Sequence, residues 1–138
     1  MLCGCQARQP VATEVLEAAV PYVDVMSFQD FSPPAEVVQH LERFHKITGK
    51  PVLLADASIP ERRNTPQREL GRKYAAMLGT LREVSSCVGW HVCGAYLTNR
   101  SRNAGFLDEK EQADPVFLED VAKANADLSA WIRKLGLA

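Results

Sequence analysis

Apolar runs alternate with helical stripes of apolar residues along the chain. Residues 52–55 form a continuous apolar string, which is typical of a strand covered on both faces in a parallel sheet. Similar short runs at residues 2–5, 23–28 and 88–95 predict three more strands. Each run is followed by a stretch in which apolar residues recur at helical spacing. The order β-α-β-α-β-α-β-α predicts an α/β fold with a parallel sheet and right-handed crossovers.

Capping residues and prolines mark most of the predicted helix boundaries. Ser32-Pro33, Thr65-Pro66 and Asp114-Pro115 each combine a capping residue with a first-turn proline, Pro10 opens the first helix, and Gly49 closes the second. Polar loops at 58–64 and 98–113 follow the third and fourth strands. The side chains expected to face inward are Val15, Leu16, Ala19 and Val20; Val37, Val38, Leu41, Phe44 and His45; Leu70, Tyr74, Met77, Leu78 and Leu81; and Leu118, Val121, Ala122, Leu128, Trp131, Ile132 and Leu135.

Two architectures satisfy this order of elements. One is an open four-stranded sheet with helices on both faces. The other is a curled sheet with its helices outside, which is half of an eight-stranded (β/α)8 barrel, or TIM barrel. A half of this kind has a bare inner face and two bare strand edges, so it requires a partner. Either way, the 138 residues make one domain, 1–138.

The charge, apolar runs and cysteine spacing of the chain limit the kinds of partner and the cellular location that we expect. Sixteen basic and seventeen acidic residues leave a net charge of −1, so no nucleic acid and no membrane surface are expected as partners. No apolar run reaches the roughly 18 residues of a spanning helix, and no signal-peptide pattern opens the chain, so we expect a cytoplasmic protein. The four cysteines, Cys3, Cys5, Cys87 and Cys93, form no CxxC pair. Buried reduced thiols are therefore predicted, with metal binding as the alternative. No cofactor and no metal site are expected.

Short motifs resemble strands of a known barrel family. The segments PYVDVMSF (residues 21–28), GKPVLLAD (49–56) and VGWH (88–91) resemble the sixth, seventh and eighth strands of (β/α)8-barrel glycoside hydrolases of the agarase and β-galactosidase-like kind. The start LCGC (2–5) is similar to the fifth. The resemblance covers nearly all of this chain but only the second half of the family's barrel. It implies a half-barrel (β/α)4 domain that dimerises with a second copy to complete eight strands.

The resemblance also implies where catalysis takes place in that family. Asp56 stands at the position of the family's nucleophile, where Glu is usual, and the family's acid/base Glu ends a fourth strand that this chain lacks. The shorter Asp side chain moves the carboxylate away from the position of the family's Glu, and a small displacement of this kind lowers the catalytic rate strongly. We therefore expect a non-catalytic or degenerate carbohydrate- or anion-binding homodimer. The alternative is a weak glycoside hydrolase with two Asp56 carboxylates at one barrel mouth.

Each candidate contact has a structural alternative. Asp56 is a nucleophile or ligand contact, or else a relict or a cap for the next loop. Gln29 and Asp30 bind sugar hydroxyls or are solvated turn residues. Trp90 stacks on a pyranose or packs in the core. His91 is a polar pocket group or a structural histidine.

Four arginines form the last candidate site. They lie in the loops after the third and fourth strands, where barrel folds often bind phosphate, and guanidinium groups bind anions through two parallel hydrogen bonds. The cluster predicts a phosphorylated, sulfated or uronic-acid ligand. The alternative is a set of exposed arginines that offset nearby Glu and Asp residues. The four arginines are Arg62, Arg63, Arg100 and Arg102.

Overall fold

The computed structural model of the protein describes residues 3–4, 11–95 and 106–134, and it shows an α/β fold. Within those residues, four strands alternate with four α-helices. The strands are parallel and lie in the order β1-β2-β3-β4. The predicted alternation and the parallel sheet are therefore confirmed. The elements are β1 Cys3–Gly4, α1 Thr13–Ala19, β2 Met26–Phe28, α2 Pro34–Thr48, β3 Val52–Ala57, α3 Gln67–Arg82, β4 Cys87–Val92 and α4 Pro115–Lys134.

The boundaries of several elements differ from those predicted. β2 covers only the second half of residues 23–28, because a 3-10 turn, Val20–Tyr22, and a short bend precede it. β4 ends at Val92, since a turn follows it. Pro10, predicted to open the first helix, lies outside the described residues. Gly49 closes α2 as expected: it has a left-handed φ of 67°, and its N–H donates to the His45 carbonyl at 2.7 Å.

The main core lies between one face of the sheet and the helices. Register partners in a parallel sheet share a face, and Phe28, Leu54 and Trp90 form one such row. Side chains of α1, α2 and α3 pack on that face around Leu54, and α4 joins through Phe117, which packs in a second cluster with Trp90. The next row, Ser27, Leu53 and Gly89, lies on the opposite face. The described helices therefore cover one face of the sheet.

Two irregularities interrupt the pairing of β3 with β4. Between Val52 and Leu53 the register gains one residue in β4, which is Val88. Between Leu54 and Ala57 it gains one residue in β3, at residues 55–56. The two extra residues compensate each other, so the strands return to register. Bulges of this kind are frequent beside functional sites.

Four of the predicted inward positions are wrong. Val15 in α1 and Leu118 in α4 are 55% and 47% exposed, and His45 and Ala122 are also exposed. In α4 the apolar pairs 117/118 and 121/122 leave the helix phase ambiguous, and the larger Phe117 takes the buried position. In α2 the His45 ring instead contacts the Lys50 carbonyl through Nδ1 at 2.9 Å. Leu135 lies outside the described residues.

α3 and α4 approach each other closely at Gly71. A Cβ atom at this position would lie 2.4 Å from Asp120 Cβ, so only glycine fits. The contact brings α4 over β4 and beside the loop that follows β3. None of the helices in the described part of the chain is long and apolar enough to cross a membrane.

Candidate functional site

The carboxyl edge of the sheet brings together several of the predicted site residues. We use this name for the ends of β2, β3 and β4 with residues 29–30, 56–65 and 93. Gln29 and Asp30 follow β2, and Asp56 lies one residue before the end of β3. The Cys93 N–H donates to the Ala57 carbonyl at 3.0 Å, so β3 and the segment after β4 stay together beyond the ladder. Ligand groups commonly gather at this edge in parallel sheets.

Asp56 occupies the bulge at the end of β3 in a strained backbone conformation. Its φ is 58°, in the left-handed region that non-glycine residues rarely adopt, although Asp tolerates it better than most. The Gln29 side-chain amide donates a hydrogen bond to Asp56 Oδ2. The half-buried carboxylate is thus held across two strands. This places Gln29 and Asp56, predicted separately, in one polar pair.

Asp30 is buried in the segment between β2 and α2. Its carboxylate accepts the Ser32 N–H at 2.8 Å and shares a 2.7 Å hydrogen bond with His40 Nδ1 on α2. Burial on its own would raise the pKa of Asp30, but the hydrogen bonds with His40 and Ser32 outweigh it and hold the pKa below its usual value. Asp30 therefore fastens the segment between β2 and α2. Its role as a sugar contact stays a prediction.

Trp90 and His91 lie on opposite faces of β4. The Trp90 indole N–H donates to the Ala57 carbonyl at 3.0 Å, and its ring stacks on Tyr74 with centroids 5.2 Å apart. These are the contacts of a core residue beneath the helices. His91 is exposed, and strand alternation places it on the face opposite to Trp90.

Arg62 is the most unusual residue of the carboxyl edge. It begins a 3-10 turn, Arg62–Asn64, and its side chain is buried, with 5% of the residue exposed. Nη1 donates to the Cys93 carbonyl at 3.1 Å. Nε and Nη2 are buried and have no hydrogen-bond partner among the described residues. Within the same part of the chain, no carboxylate forms a salt bridge with Arg62.

The charge of Arg62 is therefore buried without a described counter-charge. Burial lowers the pKa of the guanidinium, and its electrostatic interaction with Cys93 raises it in part. An arginine stays protonated in a protein even when its pKa falls, because its unperturbed value is so high. A buried cation of this kind is rare unless something negative pairs with it.

The predicted arginine cluster divides into parts with different surroundings. Arg63 is exposed, whereas its neighbour Arg62 is buried. Arg100 and Arg102 lie outside the described residues. The described half of the cluster thus offers one inward and one outward guanidinium.

The sequence did not indicate that Arg62 faces inward or that Cys93 lies beside it. One signal was present: Ile59 is a large apolar residue within the predicted polar loop 58–64. It is fully buried, and its carbonyl accepts the Arg62 N–H at 3.3 Å, so the loop folds back under α3.

No metal centre and no relative adds to this picture. Among the described residues, no group of three or more His, Cys, Asp or Glu side chains is placed to hold a metal ion. A scan against protein-family models found no match, and neither did searches of curated proteins and of solved structures. The glycoside hydrolase resemblance therefore stays a prediction from short motifs. Any functional conclusion depends on the carboxyl edge itself.

Proposed function

We propose that this chain is a non-catalytic binding module for an anionic small molecule of the sugar-acid or sugar-phosphate class. It holds the ligand at the carboxyl edge of a half-barrel that a second copy of the chain completes. The observation that carries the proposal is the buried Arg62 guanidinium, whose Nε and Nη2 have no described partner.

The two unpartnered nitrogens explain why the ligand is an anion. Nε and Nη2 form one edge of the guanidinium, and their N–H groups point in parallel, which matches two oxygens of a carboxylate or phosphate. Moving a charged group such as this guanidinium from water into the protein interior costs several kcal/mol when no counter-charge compensates it. A bound anion supplies both the missing charge and the missing hydrogen bonds. A neutral sugar supplies neither.

The Gln29–Asp56 pair supports the sugar part of the ligand class. It offers amide and carboxylate groups at the same edge of the sheet as Arg62, which suits hydroxyl groups that both donate and accept hydrogen bonds. The carboxylate is already engaged by Gln29. This supports a role for Asp56 in contacting a ligand rather than in attacking it.

The arrangement of sheet and helices supports the half-barrel with a second copy. The described helices lie on one face, and the strand order β1-β2-β3-β4 is the order of four successive barrel strands. The opposite row contains the half-buried Leu53 and Gly89, and β4 is an edge strand with Val88 58% exposed. A two-fold partner would set β1 of each copy beside β4 of the other and close the ladder.

Ligand-dependent melting tests the binding proposal. Phosphate, sulfate and glucuronate should raise the melting temperature in a saturable way, whereas glucose at the same concentration should not, since only anions pair with Arg62. Arg62→Met should abolish the response, and Arg72→Met, at an exposed position on α3, should keep it. An equal response of wild type and Arg62→Met would contradict the proposal.

Light scattering tests the assembly separately. The mass expected for the half-barrel is twice the 15.3 kDa of one chain. A Leu53→Asp variant, which puts a charge on the face opposite to the helices, should shift the protein toward the monomer. A stable monomer at micromolar concentration would contradict the closed barrel and leave the anion site to be judged by melting alone.

Weak glycoside hydrolysis through Asp56 is the second candidate. The observation in its favour is the left-handed backbone at Asp56, since such strain is concentrated at functional sites. Turnover of a chromogenic glycoside by the wild-type chain, lost in Asp56→Asn, would support hydrolysis. We expect no such turnover.

A further inference from the structure

Cys93 lies beside Nη1 of Arg62, the nitrogen of the guanidinium that has a described hydrogen-bond partner. The Cys93 carbonyl accepts a hydrogen bond from Arg62 Nη1 at 3.1 Å, and the Cys93 side chain interacts electrostatically with the guanidinium. Cys93 is half-buried, so part of the residue faces solvent. Gly94, with a left-handed φ of 64°, turns the chain immediately after it.

Cys87, the other cysteine whose burial the structure describes, provides an internal contrast. Cys87 stands at the amino end of β4, the strand that ends one residue before Cys93, and it too is half-buried. Its thiol donates to the Gly89 carbonyl at 3.6 Å, and burial raises its pKa. A raised pKa leaves less thiolate, the nucleophilic form, whereas a neighbouring guanidinium favours that form. The thiol of Cys87, in β4, and that of Cys93, one residue after β4, therefore have different surroundings.

We propose that Cys93 is a nucleophile for thiol–disulfide exchange with small disulfides that carry carboxylate groups. The Nε–Nη2 edge of Arg62 holds a carboxylate of the incoming reagent. The inference rests on the proposed anion site for docking the reagent and adds a covalent step at a side chain to which that function assigns no role.

The step needs no oxidant other than the disulfide itself. The Cys93 thiol gives its proton to solvent, and the thiolate attacks one sulfur of the reagent. A new sulfur–sulfur bond forms to Cys93 while the bond within the reagent breaks. The electron pair leaves with the second half of the reagent as a thiolate, which takes up a proton according to the pH. A small thiol reverses the reaction by the same exchange.

Arg62 contributes to this step in two separable ways. Its positive charge favours the thiolate of Cys93 for every reagent, charged or not. Its unpartnered edge favours only reagents that bring a carboxylate. Lysine at this position would keep a charge but lack the planar pair of donors. Reagent charge and side-chain geometry can therefore be varied independently.

Reaction rates measure both contributions. The full chain would be mixed with an excess of the dianionic disulfide dithiobis(nitrobenzoic acid) or of the uncharged dithiodipyridine, and thiol release would be followed by absorbance. Tandem mass spectrometry would locate the adduct. We expect the fastest-reacting site to be Cys93: Cys93→Ser should lose this phase, and Cys87→Ser should keep it.

The arginine variants decide the role of Arg62. Arg62→Met should slow the anionic reagent by roughly tenfold more than the uncharged one, because it removes a charge-assisted bidentate contact. Arg62→Lys should keep the rate with the uncharged reagent and lose the preference for the anionic one, and it replaces Arg62→Met if that variant does not fold. Arg72→Met should match the wild type.

Two results would overturn the inference. One is an adduct that forms first on a cysteine other than Cys93. The other is a rate at Cys93 that is the same in the wild type and both Arg62 variants. If sulfate still raises the melting temperature in an Arg62-dependent way, the anion site survives that failure, and only the covalent step is lost.

Discussion

The two ends of the β3–β4 pair differ sharply in how well their groups are satisfied. At the amino end, Val52 is fully buried and its N–H donates to the Ser86 carbonyl at 2.8 Å, while the Cys87 N–H donates to Val84 at 2.9 Å. At the carboxyl end, Asp56 has a left-handed backbone and Arg62 has two buried nitrogens without a described partner. The same strands thus combine a well-packed end with an end where local rules are broken. Such violations are expected where a protein binds something.

The largest expected effect belongs to the packed end. Val52→Ala removes two methyl groups from a fully buried position and should lower the free energy of unfolding by about 2 kcal/mol. Val15→Ala, at a 55% exposed position of α1, is the matched control and should change it by less than about 0.5 kcal/mol. Urea unfolding measures both. Equal losses would mean that the exposed position is covered in solution.

The same measurement on Arg62 should give a much smaller loss, although Arg62 is nearly as buried as Val52. Arg62→Met removes one hydrogen bond to Cys93 but also removes an uncompensated buried charge, so without ligand the free energy of unfolding should fall by less than about 1 kcal/mol or should rise. Breaking a compensated buried ion pair costs about 3–5 kcal/mol. A loss of that size, in anion-free buffer, would show that Arg62 already has a counter-charge.

The strain at Asp56 is tested by a pair of substitutions that both remove the carboxylate. Asp56→Gly should be more stable than Asp56→Ala by about 1 kcal/mol, because only glycine adopts a φ of 58° without a steric penalty. At position 55, one residue earlier in the strand, the order should be reversed: Ala55→Gly should be less stable than the wild type, which has alanine there. Asp56→Asn should leave stability nearly unchanged, since Asn also tolerates this conformation. Thermal unfolding distinguishes these cases.

The smallest expected effect is a pH dependence at Asp30. Its pKa is lowered in the folded protein, so its contribution to stability is fully present above the ordinary value of 3.8 and is lost as the pH falls through the lower folded value. The folded protein should therefore lose stability in acid more steeply than an Asp30→Asn variant does. Unfolding measured between about pH 5 and pH 2 gives the difference. Parallel curves for the two proteins would mean that the hydrogen bonds of Asp30 with His40 and Ser32 do not cause the loss of stability in acid.

Much of the fold could be predicted because its signals are local. Asp114-Pro115 and Gly49 mark ends of α4 and α2, and the apolar run at 52–55 identifies β3, although only Val52 and Leu54 of that run are fully buried. The errors have a common cause. In α4, adjacent apolar residues such as Phe117 and Leu118 fit two helix phases, and only packing against α3 selects one.

Less of the carboxyl edge could be predicted, because its features depend on contacts between distant segments. The position of Asp56 at the end of β3 follows from the sequence, whereas its left-handed backbone depends on a bulge against β4. Arg62 lies in a polar segment, which predicts exposure, and its burial results from the loop folding under α3 around Ile59. Its contact with Cys93 joins residues that are 31 positions apart.

Nuclear magnetic resonance of the arginine side chains tests the central claim most directly. Titration of the ¹⁵N-labelled protein with phosphate should move the Nε–H resonance of Arg62 in a saturable manner, because its hydrogen bond to the anion forms at that atom. The Nε–H of the exposed Arg72 should stay in place at the same ionic strength. An Arg62 resonance that does not move while the protein is saturated with phosphate would contradict an anion site at this guanidinium.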